Sequence, residues 1–364
     1  MRLNLYNPWL LISLNKEMLN KILLRLIMIL FITPFNLYSM VNDDIILSDI
    51  PPKHLSQYGF FLNQKQQNPA PGVLPYDLIT PLFSDYADKH RFVYIPKGRF
   101  ATHEADSVFN FPIGSTLIKT FSYATALEPP LNRHLIETRL LIRKESGWKT
   151  YAYVWDNDGE EAELKVAGKT VQATYINSEG KKTNIRYRVP NKNQCKECHL
   201  KDEAIVPIGP KARNLNTNYN YDDGTMNQLI KWSELGYIKS YSENNMPVAD
   251  YLDTSQPIDK RARAYLAINC GHCHSVTGSA SNSGLYLNYK ENRNKQLGVF
   301  KSPVATGRGS GELDYSIVPG HPDESILLYR MMSNSPDIMM PESGRSIMHK
   351  EGVELIYQWI KEMQ

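Results

Sequence analysis

Between residues 90 and 190, apolar and β-branched side chains come in short runs broken by turn residues, a spacing that belongs to strands. Residues 91–95, 116–123, 135–143 and 148–155 carry the pattern, and 171–176 and 183–189 repeat it. Lys144-Glu145-Ser146-Gly147 and Asn177-Ser178-Glu179-Gly180 supply turn chemistry between neighbouring runs. Trp148, Thr150, Tyr151, Tyr153 and Trp155 suit a pleated, half-buried surface. Residues 82–190 therefore read as an antiparallel sandwich or barrel. The Gln-, Asn- and Pro-rich stretch 62–81 reads as irregular chain, making 41–81 an entry segment.

After residue 190 the period changes. Ala262, Tyr265, Leu266 and Asn269 follow helical spacing within 259–269, with Asp259 as the expected N-cap. Residues 323–332 form a second expected helix behind Pro322. A last one, 350–363, sets Val353, Ile356, Tyr357 and Ile360 on one stripe.

The first of these helices runs into a motif that occurs twice and uses every cysteine: Cys195-Lys196-Glu197-Cys198-His199 and Cys270-Gly271-His272-Cys273-His274. Cys-x-x-Cys-His is the attachment pattern of c-type haem. Residues i and i+3 share a helix face, so two thiols reach the two vinyl groups of one ring edge. The following histidine offers a neutral nitrogen to iron. A four-cysteine zinc site would leave both histidines unexplained. Disulfides or a thioredoxin-type motif would want a βαβ context that neither copy has. Two covalently bound haem c groups are thus the expected cofactors, held by Cys195, Cys198, His199, Cys270, Cys273 and His274. For the far side of the second iron Met340 is favoured, with Met339 as its neighbour alternative, because Met339-Met340-Pro341 lies between two helices. For the first iron Met246 is the weaker choice, with Met226 and the histidines His54, His90, His103 and His134 as rivals. His272 should point away from iron, and His321 should serve the turn before the 323–332 helix. The glycine-rich loop 306–319 lacks the ending and the setting of a phosphate cradle.

Lys21 and Arg25 precede a short apolar run, 26–32, as in an export signal too brief to span a bilayer. Met18 is an alternative start. Residues 1–40 are read as a signal peptide and the rest as periplasmic, membrane anchoring being the minority reading. Setting aside the four basic and one acidic residue of 1–40 leaves 37 of each sign, so charge gives no argument for nucleic acid.

The chain resembles exported dihaem c-type cytochromes with a β-rich N-terminal part. The resemblance rests on Asn193-Gln194 before the first motif, Ile208-Gly209-Pro210-Lys211, Arg261-Ala262-Arg263-Ala264-Tyr265-Leu266 before the second, Val318-Pro319-Gly320-His321-Pro322-Asp323-Glu324-Ser325, and Met340-Pro341-Glu342. It covers roughly residues 50–364. The expected fold class is multidomain: an N-terminal antiparallel all-β sandwich or barrel, then C-terminal all-α cytochrome c-like haem modules at 191–255 and 256–364. The expected function is one-electron transfer between a donor and an acceptor redox protein. The rivals are a dihaem enzyme with one open iron, peroxidase-like or another oxidoreductase, and a cytochrome subunit of a dehydrogenase or membrane-associated respiratory complex.

Overall fold

The computed structural model describes residues 41–104, 106–126, 132–177, 179–239 and 246–364. The expected signal peptide lies outside them. A short helix α1 (Asp43–Leu47) leads through the ribbon β1 (Phe61–Asn63) and β2 (Asn68–Pro69) to a six-stranded sheet. Its strands β3 (Val73–Tyr76), β4 (Asp88–Tyr94), β5 (Thr116–Ala124), β6 (Arg133–Lys144), β7 (Gly147–Trp155) and β8 (Ala162–Leu164) pair in chain order, all antiparallel. A separate hairpin, β9 (Lys169–Ile176) and β10 (Lys182–Val189), lies beside β5.

The sheet is a meander, each strand pairing antiparallel with the next in the chain. Lys144 pairs with Gly147 across a two-residue turn, and Gly147 takes φ +102°, a conformation that favours glycine. The sheet buries both faces. On one, Phe92, Ile118, Leu140, Ile142, Tyr153 and Trp155 pack against Ile46, Leu55, Tyr58 and Phe60 from the N-terminal segment. Buried Lys144 holds that segment in place by donating to the Ile46 and Ser48 carbonyls.

The other face has three zones. Val93 and Leu117 lie at one end against Leu215, Leu229 and Trp232. Phe121, Ala152 and Val154 lie at the other against Ala173, Ile185 and Tyr187 of the hairpin. Between them runs a row of charged residues, described below.

The remaining chain holds α2 (Lys192–His199), the ribbon β11 (Leu200–Lys201) and β12 (Ala204–Ile205), α3 (Ala212–Leu215), the ribbon β13 (Asn218–Tyr221) and β14 (Gly224–Asn227), and α4 (Gln228–Glu234). Then come α5 (Ile258–Asn269), α6 (Asn294–Leu297), α7 (Ile326–Met332) and α8 (Lys350–Lys361). α5, α7 and α8 enclose a core of Ala262, Tyr265, Leu266, Leu328, Ile356, Trp359 and Ile360. α5 and α8 approach through Gly352, where a Cβ would stand 2.1 Å from the Tyr265 hydroxyl oxygen.

This architecture corrects the expected fold class. The β part, expected as an antiparallel sandwich or barrel, is one open six-stranded sheet with a two-stranded hairpin packed on one face. The cysteine-bearing part is not a pair of all-α cytochrome c-like modules: it contains two β ribbons, several one-turn helices and long irregular segments. The helical periodicity of 259–269 and 350–363 was real but local, and it said nothing of the chain between. The described residues belong to one compact unit.

Smaller departures have local causes. β3 lies inside the segment read as irregular; Pro75 sits there because β3 is an edge strand. Asp259 does not cap α5, whose N-cap is Pro257; its carboxylate accepts from Trp359 Nε1 at 3.0 Å and pairs with Arg263. The 323–332 helix is broken at Ser325, whose hydroxyl accepts from Val318 N and donates to the His321 carbonyl. Among the described residues no helix is long and apolar enough to cross a membrane.

Candidate functional site

The two cysteine motifs are far apart in sequence and touch in space. Asn191 caps α2 by accepting from Gln194 N, while the Gln194 side chain accepts from Asn191 N, a reciprocal box that fixes the first motif at the start of its helix. α2 ends at His199, and the loop after the second motif is laid against that end. Lys201 bridges to Gly278, Asp202 N donates to the Thr277 carbonyl at 3.1 Å, and Ser279 Oγ donates to the Glu197 carbonyl at 3.0 Å.

The second motif leaves α5 in a tight turn. Gly271 passes so close to the Leu287 carbonyl oxygen that a Cβ would meet it at 2.7 Å. Gly278 is tighter still, 2.2 Å from the Cys273 carbonyl oxygen on the same construction. Both positions need glycine for the turn that carries Cys273 back to α2. Asn269 anchors the helix end from its other side, accepting from Phe83 N at 2.8 Å and donating to the Tyr265 carbonyl.

The result is a thiol pair drawn from both motifs. Cys198 and Cys273 lie within hydrogen-bond reach of each other, with His272 and Ser343 also on Cys198. Ser343 Oγ is 3.5 Å from Cys198 Sγ, and Cys273 Sγ is 3.6 Å from the Glu197 carbonyl oxygen. The bond from Cys273, helped by those from His272 and Ser343, holds the Cys198 thiol well below the usual range. The same bond, with burial, pushes Cys273 up. The two thiols therefore titrate as a coupled pair. The outer cysteines differ: burial raises Cys195, and it pushes Cys270 up to about 12.

Four cavities surround this pair, and Cys198 borders all of them. The largest, about 710 Å³, also touches Trp148, Lys201 and His272. A second, about 540 Å³, is lined by Cys270, Cys273, His274 and Met340. A third, about 150 Å³, is lined by Cys195, His199 and Met339. The fourth, about 80 Å³, reaches His199, Met340 and His349.

His199 and His274, the histidines that close the two motifs, are half-buried. His199 Nδ1 sits 2.7 Å from the Val206 carbonyl oxygen and therefore carries the proton; burial pushes its pKa down to about 4. His274 Nδ1 sits 3.2 Å from Ser283 Oγ, and burial, then His272 and Arg330, bring it down to about 4 as well. Met340 shares one cavity with His274 and another with His199, and Met339 shares one with His199. Met246 is 79% exposed and lines none of the four cavities, nor do Met226, His54, His90, His103 and His134. His272 turns toward Cys198, and His321 stands in the turn before α7, 3.3 Å from Glu324.

The expectation of two covalently bound haem c groups is corrected here. Among the described residues no three His, Cys, Asp or Glu side chains gather where they could hold a metal ion. The helical cytochrome scaffold on which the expectation leaned is also missing from 191–364. The Cys198 and Cys273 thiols interact across the motifs, which the spacing within each motif could not reveal.

Three residues that sequence reasoning passed over organise the site. Arg345, 7% exposed, donates to the carbonyls of Met340, Ser333, Arg330 and Ile347, and so shapes the loop that carries Met339 and Met340. Asp85 accepts from Ser346 N, Ser346 Oγ and Ile347 N, tying that loop to the connection between β3 and β4. His349 stacks on Phe83 at 4.0 Å and bonds the Tyr265 hydroxyl at 3.0 Å. No spacing rule marks any of them. No family model, curated protein or solved structure matches the chain.

Proposed function

We propose that this chain is an extracytoplasmic thiol–disulfide oxidoreductase that exchanges electrons with partner proteins through Cys198 and Cys273. The observation that carries the reading is the meeting of these two thiols across the motifs, with the more acidic one bordering every cavity around them. The thiolate is the nucleophile in such exchange, and a neighbouring thiol resolves the intermediate. An export signal at 1–40 suits this chemistry, since protein disulfides persist outside the cytoplasm.

The Cys198 thiolate attacks one sulfur of a partner disulfide; that S–S bond breaks, and the partner's second sulfur leaves as a thiolate and takes a proton. Cys273 loses its proton to solvent and attacks Cys198 Sγ in the mixed disulfide, releasing the partner's first sulfur as a thiolate, which takes a proton from solvent. The partner has gained two electrons and two protons, and a Cys198–Cys273 disulfide remains. The cavities of about 710 and 540 Å³ give a partner loop two approaches to Cys198.

The test is intact mass and peptide mapping of the natively matured protein, before and after oxidation with glutathione disulfide. Loss of two hydrogens, with a cross-linked peptide joining residues 198 and 273, is the expected result, and Cys273→Ser should trap the mixed disulfide at Cys198. A cross-link confined within either motif overturns the reading. So does a tetrapyrrole mass increment on either cysteine pair.

A further inference from the structure

The central zone of the sheet's second face holds an arrangement that folding alone does not favour. Arg91 on β4 stands directly opposite Lys119 on β5, which stands directly opposite Arg139 on β6. Lys89, two residues before Arg91, extends the row on the same face. Like charges opposed across strands repel, and partial burial strengthens the repulsion. Two members have carboxylate partners: Arg91 with Asp77 and Arg139 with Glu137, each at 2.5 Å. Lys89 and Lys119 have none among the described residues; Lys119 Nζ stands 5.0 Å from the Phe121 ring centre. Arg139 Nε is buried without a hydrogen-bond partner.

All four cations line the 150 Å³ cavity that Cys195 and His199 also border. Arg188 and Arg345 add two more positive charges to its wall, against one carboxylate, Glu342, whose side chain is 71% exposed and 4.0 Å from Arg330. Burial and the neighbouring cations hold Lys119 well below the usual lysine range, and Lys89 is brought down to about 7 for the same reasons. The row is thus two paired guanidinium groups and two lysines without carboxylate partners, arranged around a space.

We propose that this cavity binds a small oxyanion, a carboxylate or phosphate group, between Lys89, Arg91, Lys119 and Arg139. A charge-assisted bond to each unpaired lysine would relieve the repulsion that the row otherwise carries. The cavity volume admits an isolated oxyanion group or the end of a larger molecule. None of the four cations belongs to a cysteine motif, and anion binding does not require the thiol exchange proposed above, although Cys198 borders the same cavity.

The experiment is calorimetric titration of the full natively matured protein with inorganic phosphate and, separately, with malonate, each against chloride at equal ionic strength. Saturable binding of either anion above the chloride control is expected. Phosphate alone assigns a phosphate group, malonate alone a carboxylate, and both keep the shared oxyanion class. Lys119→Met should weaken that binding about tenfold or more and should raise the melting temperature of the ligand-free protein, because it removes an opposed like charge. A merely structural Lys119 predicts a lower melting temperature and unchanged affinity. Lys89→Met is the second variant if the first does not fold. No binding above chloride, or unchanged affinity in the variant tested, overturns the proposal.

Discussion

His349 makes the protein's stability depend on pH in a direction and amount that can be worked out. It is 7% exposed, stacked on Phe83 with an 11° angle between the ring planes, and bonded to the Tyr265 hydroxyl. Burial lowers its pKa from 6.5 to about 4. Glu351, 3.5 Å from Nε2, opposes that shift, while Lys89 and Arg345 add to it. The folded pKa is below the unfolded one, so the unfolded chain takes up a proton that the folded chain refuses. The contribution is complete above about pH 6.5 and is lost as pH falls toward 4. At about 1.4 kcal/mol per unit, the loss from this one residue is on the order of 3 kcal/mol. Urea unfolding of the wild type and of His349→Gln at pH 7 and pH 4.5 isolates it. The variant is less stable at pH 7, having lost the ring stack, but it should lose about 2 kcal/mol less than the wild type on acidification. Equal losses in the two proteins would refute the argument that the imidazole is held neutral by burial.

Three further outcomes test the packing. Gly352→Ala places a methyl group against the Tyr265 hydroxyl and should cost about 2–4 kcal/mol in urea unfolding, since both helices must shift; a loss under about 1 kcal/mol would show that the approach of α5 and α8 is softer than described. Arg345→Lys keeps the charge but not the planar fork, and should raise amide exchange across residues 339–347 while costing about 2–3 kcal/mol; unchanged exchange would remove its organising role. Trp232 is fully buried with Nε1 unbonded, so Trp232→Phe should cost about 1.5 kcal/mol or less and Trp232→Ala about 3–5 kcal/mol; a similar loss for both would mean the indole nitrogen has a partner.

What the linear chain determines here is local. Runs such as 116–123 and 148–155 are strands because β-branched and aromatic side chains at close spacing suit a pleated surface packed from both sides, and β5 and β7 span 116–124 and 147–155. The helices ending at Asn269 and beginning at Lys350 follow from one-sided apolar periodicity. β3 was hidden because a four-residue edge strand containing proline has no period of its own.

Tertiary structure decided everything that depends on distant residues meeting. The spacing within each Cys-x-x-Cys-His motif describes one turn of chain, so it suggests what each copy could hold alone. That Cys198 meets Cys273 depends on Gly271 and Gly278 folding the second motif back onto α2. The cations at 89, 91, 119 and 139 lie on three strands with unremarkable local sequence, and only antiparallel register sets them side by side. Register is fixed by which face of every strand is buried, a property of the whole sheet that no single run of residues contains.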